Sequence, residues 1–195
     1  PGCYHPRING FETESFKALP ENESKAFYAL HDNFYYHRHN DFWYGEAMKK
    51  LPALVDSTDM LVCGEDLGMI PACVPAVMDE LRILSLEIQR MPKAYGCSVD
   101  NPANYPYYSV CTTSTHDMSG VRGWWAEDPT LTQYYWTELL HQRGKAPADC
   151  EAWICECIVR QHLDSPAMLT ILPLQDWMAI DEHLRYADFD AERIN

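Results

Sequence analysis

Basic residues are scarce in this sequence. Fifteen Lys and Arg stand against 29 Asp and Glu in 195 residues, a formal charge of −14 with a pI near 4.8. That balance excludes nucleic acid and anionic membrane surfaces as expected partners, because both are bound through basic patches. No apolar run approaches the ~18 residues of a membrane span. The eight cysteines, at 3, 63, 73, 97, 111, 150, 155 and 157, include no Cys-x-x-Cys pair and no zinc-type spacing. Cys63 and Cys111 lie in apolar runs, where a free thiol behaves as a small hydrophobe, so reduced core thiols of a cytoplasmic protein are expected. Internal repeats and low-complexity tracts are absent as well.

What is present is a normal share of core-forming residues, 47% hydrophobic and 12% aromatic, with six Trp and twelve Tyr. The aromatics suit core filling, and the same residues suit sugar stacking. An acidic surface tolerates a neutral ligand such as a sugar. The chain begins at Pro1-Gly2 without Met and stops at Arg193-Ile194-Asn195 with no helix-end signal. It is expected to be a piece of a larger protein.

Periodicity suggests the layout. Residues 1–24 read as a loop or insertion edge. The spacing of Phe27, Leu30, Phe34 and Tyr35, later joined by Phe42 and Met48, predicts a helix from about Ser24 to Leu51, ended by Pro52. Met60-Leu61-Val62-Cys63 predicts a strand buried on both faces and stopped by Gly64. Pro71 suits a first helical turn, with Val74, Val77, Met78 and Leu81 following at helical spacing. Leu84, Leu86 and Ile88 alternate with polar residues at strand period. A loop over 91–106 leads to a strand at Tyr107–Thr113. Two helices are predicted over Trp124–Gly144, interrupted at Glu127-Asp128-Pro129, and over Pro147–Leu163. A last buried strand spans Ala167–Leu172. Such alternation argues for parallel βα units.

Two acidic motifs close apolar runs in this layout: Cys63-Gly64-Glu65-Asp66-Leu67-Gly68 and Thr112-Thr113-Ser114-Thr115-His116-Asp117. Each sets a carboxylate just past a strand, as (β/α)8 enzymes present catalytic groups, and two carboxylates suggest glycosidic-bond chemistry. Glu65 is the better acid/base candidate, with Asp66 beside it as a like charge that favours the protonated form. From spacing alone, Glu65-Asp66 reads sooner as a helix start whose acids offset the macrodipole. His116-Asp117 is open to three readings: a sugar-binding pair, a helix cap, or half of a metal site with Glu65, for which no other His-rich cluster supplies ligands. His37-Arg38-His39 reads as a solvated helix face.

These motifs sit among further stretches: Cys3–Arg7, Tyr35–Arg38, Leu51–Leu54, Ser57–Leu61, Cys63–Pro71, Ile88–Pro92, Arg122–Trp125, Leu174–Asp176 and Arg193–Asn195. In this order the chain resembles the 4-α-glucanotransferases of glycoside hydrolase family 77, the amylomaltase or disproportionating-enzyme group. Within the family it is more similar to the large plant-type cytosolic disproportionating enzyme and its bacterial relatives. The departures are mild: Ser114 precedes Thr115-His116-Asp117 where many relatives have Gly, and the Gln175-Asp176-Trp177-Met178 stretch replaces a common Leu-Leu or similar pair.

The resemblance implies an α/β fold, the C-terminal half or so of a (β/α)8 TIM-type barrel, with residues 25–195 forming βα units. It implies retaining transfer of α-1,4-glucosyl units between malto-oligosaccharide donors and glucan or sugar acceptors, with no metal or organic cofactor. Glu65 matches the general acid/base, Asp117 the transition-state-stabilising aspartate, His116 a sugar contact in the −1 subsite, and Asn195 an asparagine near the acceptor side. The family's nucleophilic aspartate belongs to an Arg-x-Asp motif on an earlier strand, and no Arg-x-Asp precedes Glu65 here. The chain alone is therefore expected to be inactive. Its expected partners are a malto-oligosaccharide or glucan, the N-terminal half of the barrel, and, through open strand edges, further copies of itself. The alternatives are an α-glucan hydrolase of the amylase type and a non-catalytic carbohydrate-binding segment.

Overall fold

The strand-like stretches assemble into a small parallel sheet. In the computed structural model, which describes residues 4–192, β1 (Ser85–Ile88) pairs in parallel with β2 (Ser109–Thr112), and β2 with β3 (Leu169–Thr170). A single parallel rung joins Cys63 to Leu84 ahead of β1. It is flanked by hydrogen bonds from Gly64 N–H to the Leu84 carbonyl (2.8 Å) and from Leu84 N–H to the Val62 carbonyl (2.9 Å). The run 60–63 is thus one rung rather than a strand buried on both faces, and Met60, Leu61 and Cys63 are exposed. β3 is likewise shorter than expected, with Ile171 61% exposed beyond it. β2 lies between two neighbours and is buried at all four positions.

The chain divides into two compact units. The first runs to Met60 and resumes over Met69–Leu81. In it α1 (Glu14–Lys17), α2 (Glu21–Asp32), a π-helical segment Asn33–Arg38, α3 (His39–Asp56) and α4 (Val74–Leu81) are the helices. A partly exposed aromatic cluster surrounds the buried His31. Phe11 stacks on Tyr28 with ring centroids 4.5 Å apart and meets Phe27 edge-on at 5.5 Å. Gly10 allows this packing, since a Cβ there would meet Phe27 at 2.7 Å. The buried His31 ring bonds to the Ile8 carbonyl at 2.9 Å, and Tyr35 donates to the Pro6 carbonyl at 2.6 Å.

Several expectations for this unit fail: the stretch 1–24, expected as a loop or insertion edge, holds α1 and the start of α2, and Pro71 stands three residues before α4 rather than in its first turn. Pro52 does not end the helix, which continues to Asp56. Proline removes one ladder bond, here the one toward the Met48 carbonyl, and a single lost bond near a solvated helix end is survivable. The supposed polar face at His37-Arg38-His39 is also mixed, because the His39 ring packs 4.3 Å from Phe34.

The second unit takes Leu61–Gly68 and everything from Arg82 onward. Crossing from β2 to β3 are α5 (Val121–Glu127), α6 (Pro129–Glu138) and α7 (Ala152–Leu163); α8 (Leu174–Met178) follows β3. Asp128 makes the break between α5 and α6. As N-cap it accepts from Thr130 and Leu131 N–H at 2.8 and 3.1 Å, and Pro129 occupies the first helical position, where its missing N–H costs nothing. Trp124, Trp125 and Tyr135 pack edge-to-face against one another, in one buried cluster with Ile154 and Ile158 of α7. The Trp125 indole donates to the Pro147 carbonyl at 2.9 Å. Cys150 and Cys155 lie buried with their sulfurs 3.3 Å apart, whereas Cys63 and Cys97 are exposed. Among the described residues no helix is long and apolar enough to cross a membrane.

His162, fully buried on the last turn of α7, holds Nδ1 2.8 Å from the Ile158 carbonyl. Burial lowers its pKa below the ordinary 6.5, a shift opposed by the Ile158 carbonyl. In the unfolded chain the ring takes up a proton below about pH 6.5, while the folded one resists it. The unfolded state then binds more protons, so this contribution to stability is complete above that pH and is lost as pH falls below it. Urea unfolding of wild type and His162→Gln at pH 7.5 and 5.5 should show the smaller acid loss in the variant. Parallel losses would refute the assignment.

Candidate functional site

Parallel pairing sends every strand end to the same side, and the acidic motifs follow those ends. Glu65 lies two residues past the Cys63 rung, Arg90 two past β1, His116 and Asp117 just past β2, and Asp176 on α8 past β3. With strands about 4.8 Å apart, the backbone runs leading to Glu65 and to Asp117 are separated by roughly 10 Å, with β1 between them. Glu65, His116 and Asp117 are all exposed. The His116 imidazole lies 3.2 Å from the Asp117 carboxylate. The Asp117 N–H donates to Thr115 Oγ1 at 3.3 Å, closing a local turn under the pair. Neither motif starts a helix directly: residues 64–67 carry no helix, and α5 begins four residues after Asp117.

Behind these exposed tips the side chains are tightly partnered. Asp66, 5% exposed, accepts from the Leu86 N–H at 2.9 Å and from Lys93 at 2.8 Å. It is therefore a neutralised anchor rather than the bare like charge expected beside Glu65. Lys93 also bonds the buried Glu87 at 2.7 Å, and Ser85 donates to the same Glu87 oxygen at 2.7 Å. Burial, followed by the Glu87 charge, raises the pKa of nearby Asp100. The polar residues alternating along β1 are thus inside the protein: Glu87 in this network, Gln89 accepting from the Tyr135 hydroxyl at 3.2 Å.

A second network lies behind His116 and Asp117. Asp176, 2% exposed, accepts from Thr113 Oγ1 (2.5 Å), Ser114 Oγ (2.7 Å) and the Val121 N–H (2.8 Å). A Cβ at Gly120 would meet Asp176 Oδ1 at 2.9 Å, so the backbone approaches too closely for a larger residue. Arg90 donates to both the carbonyl and the hydroxyl of Ser119 and lies 5.7 Å over the Trp124 ring. Burial lowers its pKa to about 10, opposed by the charges of Asp176 and Glu127, so it stays cationic near neutrality.

Asp176, Arg90 and Lys93 were given no role by sequence reasoning. The signal for Asp176 was there: an acid just past a strand, the same placement that singled out Glu65 and Asp117. Asn195 lies outside the described residues. Among the described residues no group of three or more His, Cys, Asp and Glu side chains is gathered as a metal site requires.

The sequence pattern of the family described as 4-alpha-glucanotransferase matches residues 8–195. The chain belongs to that family. It is 38% identical over 192 residues to the 4-alpha-glucanotransferase DPE2 of Oryza sativa subsp. japonica, an alignment covering 98% of this chain and 20% of the rice protein. To the 4-alpha-glucanotransferase of Chlamydia pneumoniae it is 29% identical over 147 residues, covering 74% of this chain and 27% of that protein. Among solved structures, the amylomaltase from Streptococcus agalactiae in complex with acarbose is similar with a TM-score of 0.48 and 21% identity, over 62% of this chain and 23% of that one. The chain spans 20% to 27% of the length of these glucanotransferase relatives.

Lys93 is the one cation bonded to both Asp66 and Glu87 among the described ion pairs. Lys93→Met should destabilise the chain by about 2 kcal/mol or more, short of the ~3–5 of a fully buried pair because Lys93 is partly solvated. Chemical denaturation measures this, and a loss below about 0.5 kcal/mol would mean the network contributes no more than a surface pair.

Proposed function

We propose that the chain is the carboxyl-terminal part of the catalytic domain of a retaining 4-α-glucanotransferase. The observation that carries the reading is the shared side of the parallel sheet from which Glu65 and the His116–Asp117 pair emerge, in a chain of this family. Sequential parallel order from the Cys63 rung through β3 supports the further proposal that residues 25–195 are βα units of a (β/α)8 barrel, whose remaining strands lie elsewhere in the protein. A cytoplasmic setting for this thiol-rich chain belongs to the same proposal.

In this reading an α-1,4-linked donor lies across the strand ends. Glu65 protonates the glycosidic oxygen as the bond to it breaks, while a nucleophilic aspartate from an earlier strand forms the glycosyl-enzyme. Glu65, now a carboxylate, takes the proton from the incoming sugar hydroxyl, and the second displacement restores the configuration. Asp117 stands where its negative charge favours the oxocarbenium-like transition state. His116, bonded to that carboxylate, donates toward a sugar hydroxyl, and Asn195 serves the acceptor side. Without the upstream nucleophile the 195 residues alone should not turn over.

The test is glucose release from maltose plus glycogen by the full-length gene product. Wild type should be active. Glu65→Gln should lose about 10²–10⁴-fold in kcat, and Asp117→Asn about 10²–10³-fold. An inactive wild type, or a Glu65→Gln variant that matches an active one, would defeat the proposal. Reducing-sugar yield without transfer products would instead identify a hydrolase.

A further inference from the structure

We infer that Asp176 is a positioning residue for the His116–Asp117 pair, acting with Arg90 through the segment 113–121. The inference deepens the proposed function and rests on it. His116 and Asp117 are solvent-exposed and bonded to each other above the turn at Thr115. The buried network beneath them grips both feet of their loop. On the near side, one Asp176 oxygen takes the hydroxyls of Thr113 and Ser114. On the far side, its other oxygen takes the Val121 N–H, and Arg90 holds Ser119 by carbonyl and hydroxyl. Thr115–Met118 spans the gap between these anchors, four residues carrying the pair at their centre.

The chemistry of the group suits the task. A carboxylate has acceptor capacity for three donors at once, and when these are buried their loss leaves unpaired polar atoms that distort the backbone to find water. The close approach of Gly120 to Asp176 Oδ1 leaves little room for adjustment. Asp176 also contributes negative charge near the buried Arg90, so the two anchors stabilise one another. A transition-state stabiliser must stand within a fraction of an ångström of its position, and a displacement of about 1 Å costs about 10²-fold in rate. The position of Asp117 is therefore set from α8, an element about sixty residues further along the chain.

The experiment compares wild type, Asp176→Asn, Ser114→Ala and Asp117→Asn in the full-length gene product, with kcat and KM from glucose release and amide hydrogen exchange of the same preparations. Asp176→Asn keeps size and the acceptor facing Val121 but puts an amide where both hydroxyls donate. It should lower kcat about 10- to 100-fold while KM moves by less than about threefold, with faster exchange confined to residues 113–121. Ser114→Ala, removing one bond, should show the same pattern with a severalfold fall, and decides the matter if Asp176→Asn does not fold. Unchanged kcat in both variants, or a loss that merely follows the folded fraction with exchange raised throughout, would overturn the inference. A wild type without transfer activity would instead sink the functional reading. An active wild type, inactive Asp117→Asn and normal Asp176→Asn would sink this inference alone.

Discussion

Parallel strand pairing is the constraint that governs this fold. A parallel pair cannot be closed by a tight turn, so each strand must be followed by a crossover that returns the chain to its starting side. Between β2 and β3 that crossover is α5, α6 and α7, whose apolar faces build the Trp124–Trp125–Tyr135 core. The same geometry delivers each strand end to one rim. Residues distant in the chain, from Glu65 to Asp176, are thereby set in a row along it.

Burying charge along such a rim is costly unless every oxygen finds a donor. Asp66 has a donor on each oxygen, Asp176 has three donors over its two oxygens, and Glu87 has two donors on one oxygen. The arrangement separates two tasks that a single residue performs badly. Buried carboxylates with fixed partners hold the backbone, while their exposed sequence neighbours stay available to meet a ligand. Asp66 stands next to Glu65 in the chain, and Thr113 and Ser114 stand just before His116 and Asp117, so anchoring and chemistry alternate along the same short motifs.

The elements most legible in the sequence were those whose signals are local. The β1 alternation, the β2 run and the Asp128-Pro129 break each depend on residues within a few positions, and each was found close to its place. Errors arose where non-local packing decides. The run at Met60–Cys63 looked doubly buried because its residues are apolar, yet apolar residues do not bury themselves without a neighbour on each side. Alternation marked β1 as a strand but said nothing of where its polar residues find partners. Here Lys93, Tyr135 and Ser85, two of them outside the strand, provide an interior polar network. Glu65 and Asp117 were legible as carboxylates past strands, but their support was not, because Asp176 lies some sixty residues from the loop it holds.

Backbone continuity across the π-helical segment has its own consequence. From Glu21 to Asp56 the chain is helical without interruption. A π turn nonetheless accommodates about one extra residue per turn relative to α geometry, which rotates the downstream helix by about 100°. The azimuth of α3 is thereby decoupled from that of α2. Phe27 and His31 keep their place in the aromatic cluster while Phe42 and Trp43 are aimed independently. One helix-forming stretch can thus answer to two sets of neighbours, and its hydrophobic stripe need not obey a single period.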